Sequence, residues 1–290
     1  MRLMIFGAGF SGLAIARALS GDCSFAGGTT RSPERISALQ GAGLTPFIYE
    51  DGAPSDDLGA ILGEITHLVM SISPDAAGDP LLAAFAAGLR QSMPKLEWIG
   101  YLSTVGVYGD HDGAWVNEET SCRPVSKRSV ARVAAEDGWM RLAAEAGVPL
   151  SIIRLSGIYG PGRNALKTVH EGKARRLIKP GQVFNRIHVA DIGGATALLA
   201  RQRLAGIYNV TDDLPAPPQD VVSRAAELMG VEPPPEVDFE SADLSPMARS
   251  FYGENKRVSN ARIKAVGYTF LYPDYHAGLE GLHADGSWRQ

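Results

Sequence analysis

Cysteine is almost missing from this sequence: its 290 residues include only Cys23 and Cys122. Two thiols so far apart make neither a disulfide framework nor a metal-ligand cluster, and such sparse use suits a reducing compartment. Long apolar runs are missing as well. The most hydrophobic helix-like stretch, PLLAAFAAGL at 80–89, is far short of the roughly 20 residues that cross a bilayer. Nor is there an excess of one charge. A net charge of −4 and a pI near 5.9 give no electrostatic case for a nucleic-acid or membrane partner. The opening MRLMIFGAGFSG leaves no room for a targeting segment, since its short apolar stretch runs straight into a glycine motif. No His/Cys/Asp cluster has metal-ligand spacing. These absences together lead us to expect a soluble, cytoplasmic protein without a metal, acting on a small molecule.

The composition that remains, 45% apolar and 21% charged, is ordinary for a globular chain. RLMIF (2–6) reads as a strand and SGLAIARALS as the helix after it. SFAGGTTR (24–31), LTPFIY, THLVMSI (66–72), KLEWIGYLS (95–103) and PLSIIRL (149–155) read as further strands, with helices over PERISALQGAG, 55–65, 79–92 and 128–147. Strands separated by helices predict a parallel sheet of βαβ units, an α/β fold of the Rossmann-type doubly wound kind. Beyond residue 156 the pattern changes. ARRLIKPGQVFNRIH (174–188) has a Pro-Gly turn between two extended runs and reads as a hairpin. Helices flank the strand GIYNV (206–210), and VEPPPEV (231–237) reads as a connector or edge element.

GAGFSG places Gly7, Gly9 and Gly12 in G-x-G-x-x-G spacing, directly after a strand and opening a helix. Gly7 allows a tight turn, Gly9 lets backbone approach a pyrophosphate, and Gly12 lets helix pack on strand. The helix start, with Phe10 and Ser11, offers unpaired N–H groups and a partial positive charge to phosphates. An NAD site usually has an acid about 20 residues further on, for the ribose 2′-OH. Here TTRSPER places Arg31 there, flanked by Ser32 and followed by Arg35. An arginine grips a 2′-phosphate through charged, bidentate hydrogen bonds, so NADP is expected over NAD. Small polar residues at other strand ends, Ser71, Ser73, Ser103 and Ser156 among them, fit the ligand crevice of an open sheet.

GAGFSG, STVGVYG (103–109), RLSGIYGPGR (154–163), RIHVADI (186–192) and GIYNVTD (206–212) together resemble the short-chain dehydrogenase/reductase superfamily. The likeness is to its extended branch of NAD(P)-dependent epimerases and dehydratases, and TTRSPER and FYGENKRVSN (251–260) resemble its atypical subgroup. The resemblance implies hydride chemistry, with an NADP-binding Rossmann domain over 1–160 and about 189–211. A smaller C-terminal substrate lobe would comprise 161–188 and 212–290. It places the upstream catalytic Ser/Thr on Thr104. Anchored on Glu136, the family's helical Tyr-x-x-x-Lys pair falls on Arg128 and Arg132. Arginine keeps its proton up to a pKa above about 12, so Arg128 is no acid/base; Arg132 retains a charge and donors for the nicotinamide ribose. The family's substrate-facing Asn falls on Gly157, which argues against nucleotide-sugar recognition.

Tyr108 and Tyr159 follow strand ends and are candidate proton donors, although such tyrosines commonly pack with one satisfied hydroxyl. Asp191 in HVAD reads most simply as a helix cap. His170 and Arg163 are placed where an anionic substrate could meet them. Tyr252-Gly-Glu-Asn-Lys256 matches Y-x-x-x-K literally but lies too late in the chain to be the family pair. On the 128–147 helix, Val130, Val133 and Met140 form one side, while Arg128, Arg132, Trp139, Ala135 and Leu142 gather opposite. A helix apolar on two sides is expected between sheet and partner, and a homodimer is one candidate assembly. Two functions are consistent with these residues: an NADP-dependent oxidoreductase or epimerase, and an NADP-binding sensor that has lost catalysis.

Overall fold

The computed structural model describes residues 1–50, 52 and 54–290, the side chains of 246–248 excepted. In chain order the elements begin β1 (Arg2–Phe6), α1 (Phe10–Leu19), β2 (Phe25–Thr30), α2 (Ile36–Gly41), β3 (Thr45–Ile48), α3 (Asp56–Leu62) and β4 (His67–Met70). Next come α4 (Pro80–Ala84), α5 (Leu89–Ser92), β5 (Trp98–Thr104), β6 (Trp115–Val116), α6 (Lys127–Ala146), β7 (Leu150–Leu155), β8 (Gly157–Tyr159) and α7 (Ala165–His170). The chain continues through β9 (Arg176–Ile178), β10 (Arg186–His188), α8 (Val189–Gln202), β11 (Gly206–Val210), α9 (Pro218–Leu228) and β12 (Glu236–Asp238). It ends with α10 (Pro246–Phe251), β13 (Arg257–Val258), α11 (Ala261–Ala265) and α12 (Tyr275–Asp285).

A seven-stranded sheet runs in the order β11-β7-β5-β4-β1-β2-β3, with β1–β2, β1–β4, β2–β3 and β4–β5 paired in parallel. This is the doubly wound α/β fold. Its strand order reverses between β1 and β4, the switch point where such sheets take ligands. Leu3 to Phe6 of β1 and Leu68 to Met70 of β4 are fully buried, as strands covered on both faces require. One core joins Met4, Phe6, Met70, Ile99 and Tyr101 of the sheet to Leu58, Leu81 and Trp139 of its helices. On α8, a Cβ at Gly193 would stand 2.7 Å from the Ala14 carbonyl oxygen, so glycine lets α8 lie against the backbone of α1.

The chain divides into two units, each made of three segments. The first holds Met1–Val107, Ser126–Arg154 and Ile192–Tyr208; the second holds Tyr108–Val125, Leu155–Asp191 and Asn209–Gln290. Residues 108–125 and 155–160 thus cluster with the second unit, not the first as expected. The cause is pairing with distant segments: β6 lies parallel to β13, β8 lies parallel to β10, and Lys256 Nζ donates to the Gly109 carbonyl at 2.7 Å. The second unit has its own core of Tyr159, Leu166, Val221, Leu279 and Trp288. Among the described residues, no helix is long and apolar enough to cross a membrane.

Three local expectations are corrected. Residues 174–188 are not a hairpin: β9 pairs in parallel with β12, and β10 with β8. Pro180-Gly181 does turn the chain, with Gly181 at φ +74°, but both flanking runs find other partners. The 79–92 helix breaks into α4 and α5, because Gly88 takes φ +115°. On α6, Val130 and Met140 are exposed, while Ser129, Ala135, Glu136, Trp139 and Ala143 make the buried side.

Candidate functional site

The turn after β1 is built as its glycines demand. Gly7 takes φ +78°, and a Cβ there would stand 2.9 Å from Ile72 Cγ1 and 3.1 Å from the Ile72 nitrogen. The Gly7 N–H donates to Thr29 Oγ1 at 2.9 Å and the Ala8 N–H to the Thr29 carbonyl at 2.8 Å, which ties the turn to β2. Helix α1 then starts at Phe10 with no side-chain cap and no acid in its first turn. Ser126, by contrast, caps α6 by accepting from the Ser129 N–H. A Cβ on Gly9 would meet no protein atom closer than 3.9 Å, so what it would fill is space the protein leaves open. Gly12 is close-packed, its Cβ position 3.2 Å from Ile5 Cγ2. An anion is the group such an uncapped, glycine-lined helix start accommodates. A dinucleotide's pyrophosphate fits these residues.

Arg31 and Arg35 are both exposed after the end of β2. Thr30 Oγ1 accepts from the Ser32 N–H at 3.2 Å, a turn that shapes the segment carrying Arg31. Ser71 lies just past β4, its N–H donating to the Phe6 carbonyl at 2.8 Å.

Helix α6 meets the end of β5 through charged side chains. Arg132 Nη1 donates to the Leu102 carbonyl at 2.7 Å and to the Tyr101 hydroxyl at 3.1 Å, and its Nη2 donates to Ser73 Oγ at 2.8 Å. Burial pushes the Tyr101 phenol up to about 12, against the lowering effect of Arg132. One turn on, Glu136 accepts from Ser103 Oγ and from Arg154 Nε and Nη2. Ser103 therefore gives its hydroxyl proton to Glu136, within the protein, and keeps only acceptor capacity for a cofactor. Thr104, half-buried next to it, accepts from the Gly106 N–H at 3.1 Å, which leaves its hydroxyl proton for another acceptor. Arg128 is exposed, one turn before Arg132.

The tyrosine candidates fall away. Tyr108 is 0% exposed, and its hydroxyl donates to Asn209 Oδ1 at 2.7 Å, so it is a packing residue of the second unit. Tyr159 is buried, its hydroxyl turned to the Asp274 carbonyl at 3.4 Å, and burial drives its pKa far up. Asp191 is not the cap expected. It lies inside α8, fully buried, and accepts from the Tyr268 hydroxyl and the Leu271 and Tyr272 N–H groups at 2.8, 2.7 and 3.0 Å. It fastens the 268–272 segment. Lys256 of the late Y-x-x-x-K match is spent on the Gly109 carbonyl and Glu254. Sequence reasoning missed Thr29, whose only signal was a β-branched polar residue at the buried end of β2. It also missed the Glu136–Arg154 pair, which no local pattern announces.

Comparison with known proteins agrees with this geometry. Residues 86–211 match the model of the NAD dependent epimerase/dehydratase family. A functionally unknown conserved protein from Silicibacter pomeroyi has the same architecture, with TM-score 0.91, 46% identity and 98% of each chain covered. Protein YeeZ of Escherichia coli is 27% identical over 289 residues, 94% of this chain and 97% of that protein. The human epimerase family protein SDR39U1, solved with NADPH, shares the fold at TM-score 0.74 and 17% identity, over 98% of this chain and 100% of that one.

Proposed function

We propose, from the match of residues 86–211 to the NAD dependent epimerase/dehydratase family, that this chain is an NADP-dependent oxidoreductase or epimerase acting on a small molecule. The observation that carries the reading is the open, uncapped start of α1 behind Gly9, where N–H groups and the helix dipole favour a pyrophosphate. Arg31, exposed after β2, is the cation for a 2′-phosphate; solved structures of like fold hold NADPH in one case and NAD in others, so the choice of NADP rests on this arginine.

When bound, the cofactor supplies or accepts a hydride at its nicotinamide. Thr104 donates its hydroxyl proton as a hydrogen bond to the substrate oxygen. Arg132, anchored to β5 and Ser73, presents its fixed charge to the nicotinamide ribose. A second copy of the chain would cover Val130 and Met140 on α6. Thermal shifts with NADP and NAD test the cofactor: NADP should stabilise more, and Arg31→Asp should remove the difference. Equal stabilisation by both would overturn the 2′-phosphate assignment.

A second reading, a sensor that binds NADP without turnover, is favoured by Arg128 and Arg132 standing where the family's acid/base pair would be. NADPH oxidation against a panel of aldehydes, ketones and quinones separates the two. Tight NADPH binding with flat traces would select the sensor.

A further inference from the structure

We propose that Arg186, with the hydroxyls of Tyr252 and Tyr275, forms a recognition site in the second unit for the carboxylate of a small molecule. This deepens the function above by naming a substrate class, and rests on it only for the word substrate.

Arg186 opens β10 and is half-buried. Its Nη1 donates to the Phe184 and Ala216 carbonyls at 2.9 and 3.0 Å, which fixes the plane of the guanidinium. Among the described residues, its Nε and Nη2 make no hydrogen bond and no carboxylate pairs with it. Its Cζ stands 6.0 Å from the centre of the Tyr275 ring, and Tyr159, Tyr252 and Asp212 also lie within electrostatic reach. The Tyr159 hydroxyl is used on the Asp274 carbonyl. Those of Tyr252 and Tyr275 have no hydrogen-bond partner among the described residues, and neither oxygen is one of the enclosed polar atoms. The rest of each tyrosine is buried, Tyr252 between Phe184 and Phe239 and Tyr275 in the core around Leu279. Rigid rings therefore carry two unused hydroxyls within electrostatic reach of a guanidinium that has an unused edge.

An arginine drawn partly out of water with the three N–H groups of Nε and Nη2 unpaired is costly unless an anion completes it. The Nε–Nη2 edge matches the two oxygens of one carboxylate. Asp212 does not oppose that anion. It is 1% exposed, its Oδ1 accepts from the Leu214 N–H, and its Oδ2 has no partner. Burial pushes its carboxyl up to about 8, which favours the neutral form. Other acids limit the charge of the ligand: Asp220 and Asp274 act on Tyr275. The nearby cation Arg224 is already paired with Glu227 and Glu280. Lys179 donates to the Tyr252 carbonyl and lies over the Phe239 ring; with the acids around Tyr275, Arg186 suits a single carboxylate better than a polyphosphate.

The test is a thermal-shift titration of the whole protein, with NADP present, using acetate and benzoate against phosphate and chloride at matched ionic strength. Both carboxylates should raise the melting temperature beyond chloride. Arg186→Gln should weaken carboxylate binding by about tenfold or more, as loss of charged hydrogen bonds predicts, while its response to NADP stays wild-type. Tyr275→Phe, which keeps the ring, should weaken carboxylates less and leave NADP untouched. Equal responses in wild type and Arg186→Gln, no response to carboxylates, or a preference for phosphate would each overturn the site. If carboxylates act through Arg186 but NADP does not stabilise the protein, the cofactor assignment falls and this site stands.

Discussion

Arg154 and Glu136 close on each other inside the first unit, with Nη2 to Oε2 at 2.6 Å, Nε to Oε1 at 3.2 Å, and side-chain exposures of 4% and 2%. The pair ties α6 to β7, and Ser103 adds a third bond from β5. Removing one partner strands a charge where water cannot reach it. Glu136→Ala should cost about 3–5 kcal/mol of stability, measured by urea unfolding. A loss under about 1 kcal/mol would mean that the pair is not what fastens α6.

Gly9 separates ligand space from packing. Its φ of −85° suits any residue, and a Cβ there would meet no protein atom closer than 3.9 Å. Gly9→Val should therefore change unfolding free energy by only about 1 kcal/mol, yet reduce NADPH affinity sharply in fluorescence titration. Unchanged affinity would move the pyrophosphate away from this turn.

Tyr108 gives the converse case. Tyr108→Phe removes one buried hydrogen bond, to Asn209, and should lower stability by about 0.5–1.5 kcal/mol. Any NADPH-oxidising rate found for the wild type should persist in the variant under conditions where it is folded. A selective fall in kcat would return Tyr108 to the reacting groups.

Asp212 predicts a pH slope. Burial pushes its folded carboxyl up to about 8, against 3.8 for a free aspartate, so between these limits the native state holds a proton that the unfolded chain releases. Stability must then fall as pH rises through that window, by about 1.4 kcal/mol per unit at most. His188 acts oppositely over a narrower range: burial lowers it from 6.5 to about 4, so it favours the folded state as pH rises between those values. Asp212→Asn should flatten the decline between pH 6.5 and 8, where His188 no longer contributes. Chemical denaturation across that range checks it, and an unchanged slope would remove Asp212 as its source.

The sheet and the glycine turn were legible because both are local. Apolar runs such as RLMIF declare buried strands, and G-x-G-x-x-G spacing carries its own backbone geometry. The second unit was harder to read, because its short strands pair across long stretches of chain: β6 with β13, β9 with β12. Pro180-Gly181 marked a turn correctly, but a turn does not say which strands its arms will join. Asp191 shows the same limit. Position at a helix start suggested a cap, whereas its actual donors lie some 80 residues further on. For the arginines of α6, the sequence displayed the charge. Only the folded chain displayed the carbonyl and hydroxyls that hold Arg132.

The three-segment makeup of each unit means that the chain passes from one to the other five times. No single cut in the gene would release either half as a complete folding module, because segments of each unit lie on both sides of any cut between residues 108 and 208. On the proposed function, changes in substrate choice would not come by exchanging a cassette, as they can in proteins whose domains are strung in series. They must arise by editing residues in place, within the segments that leave the sheet after β5, β7 and β11.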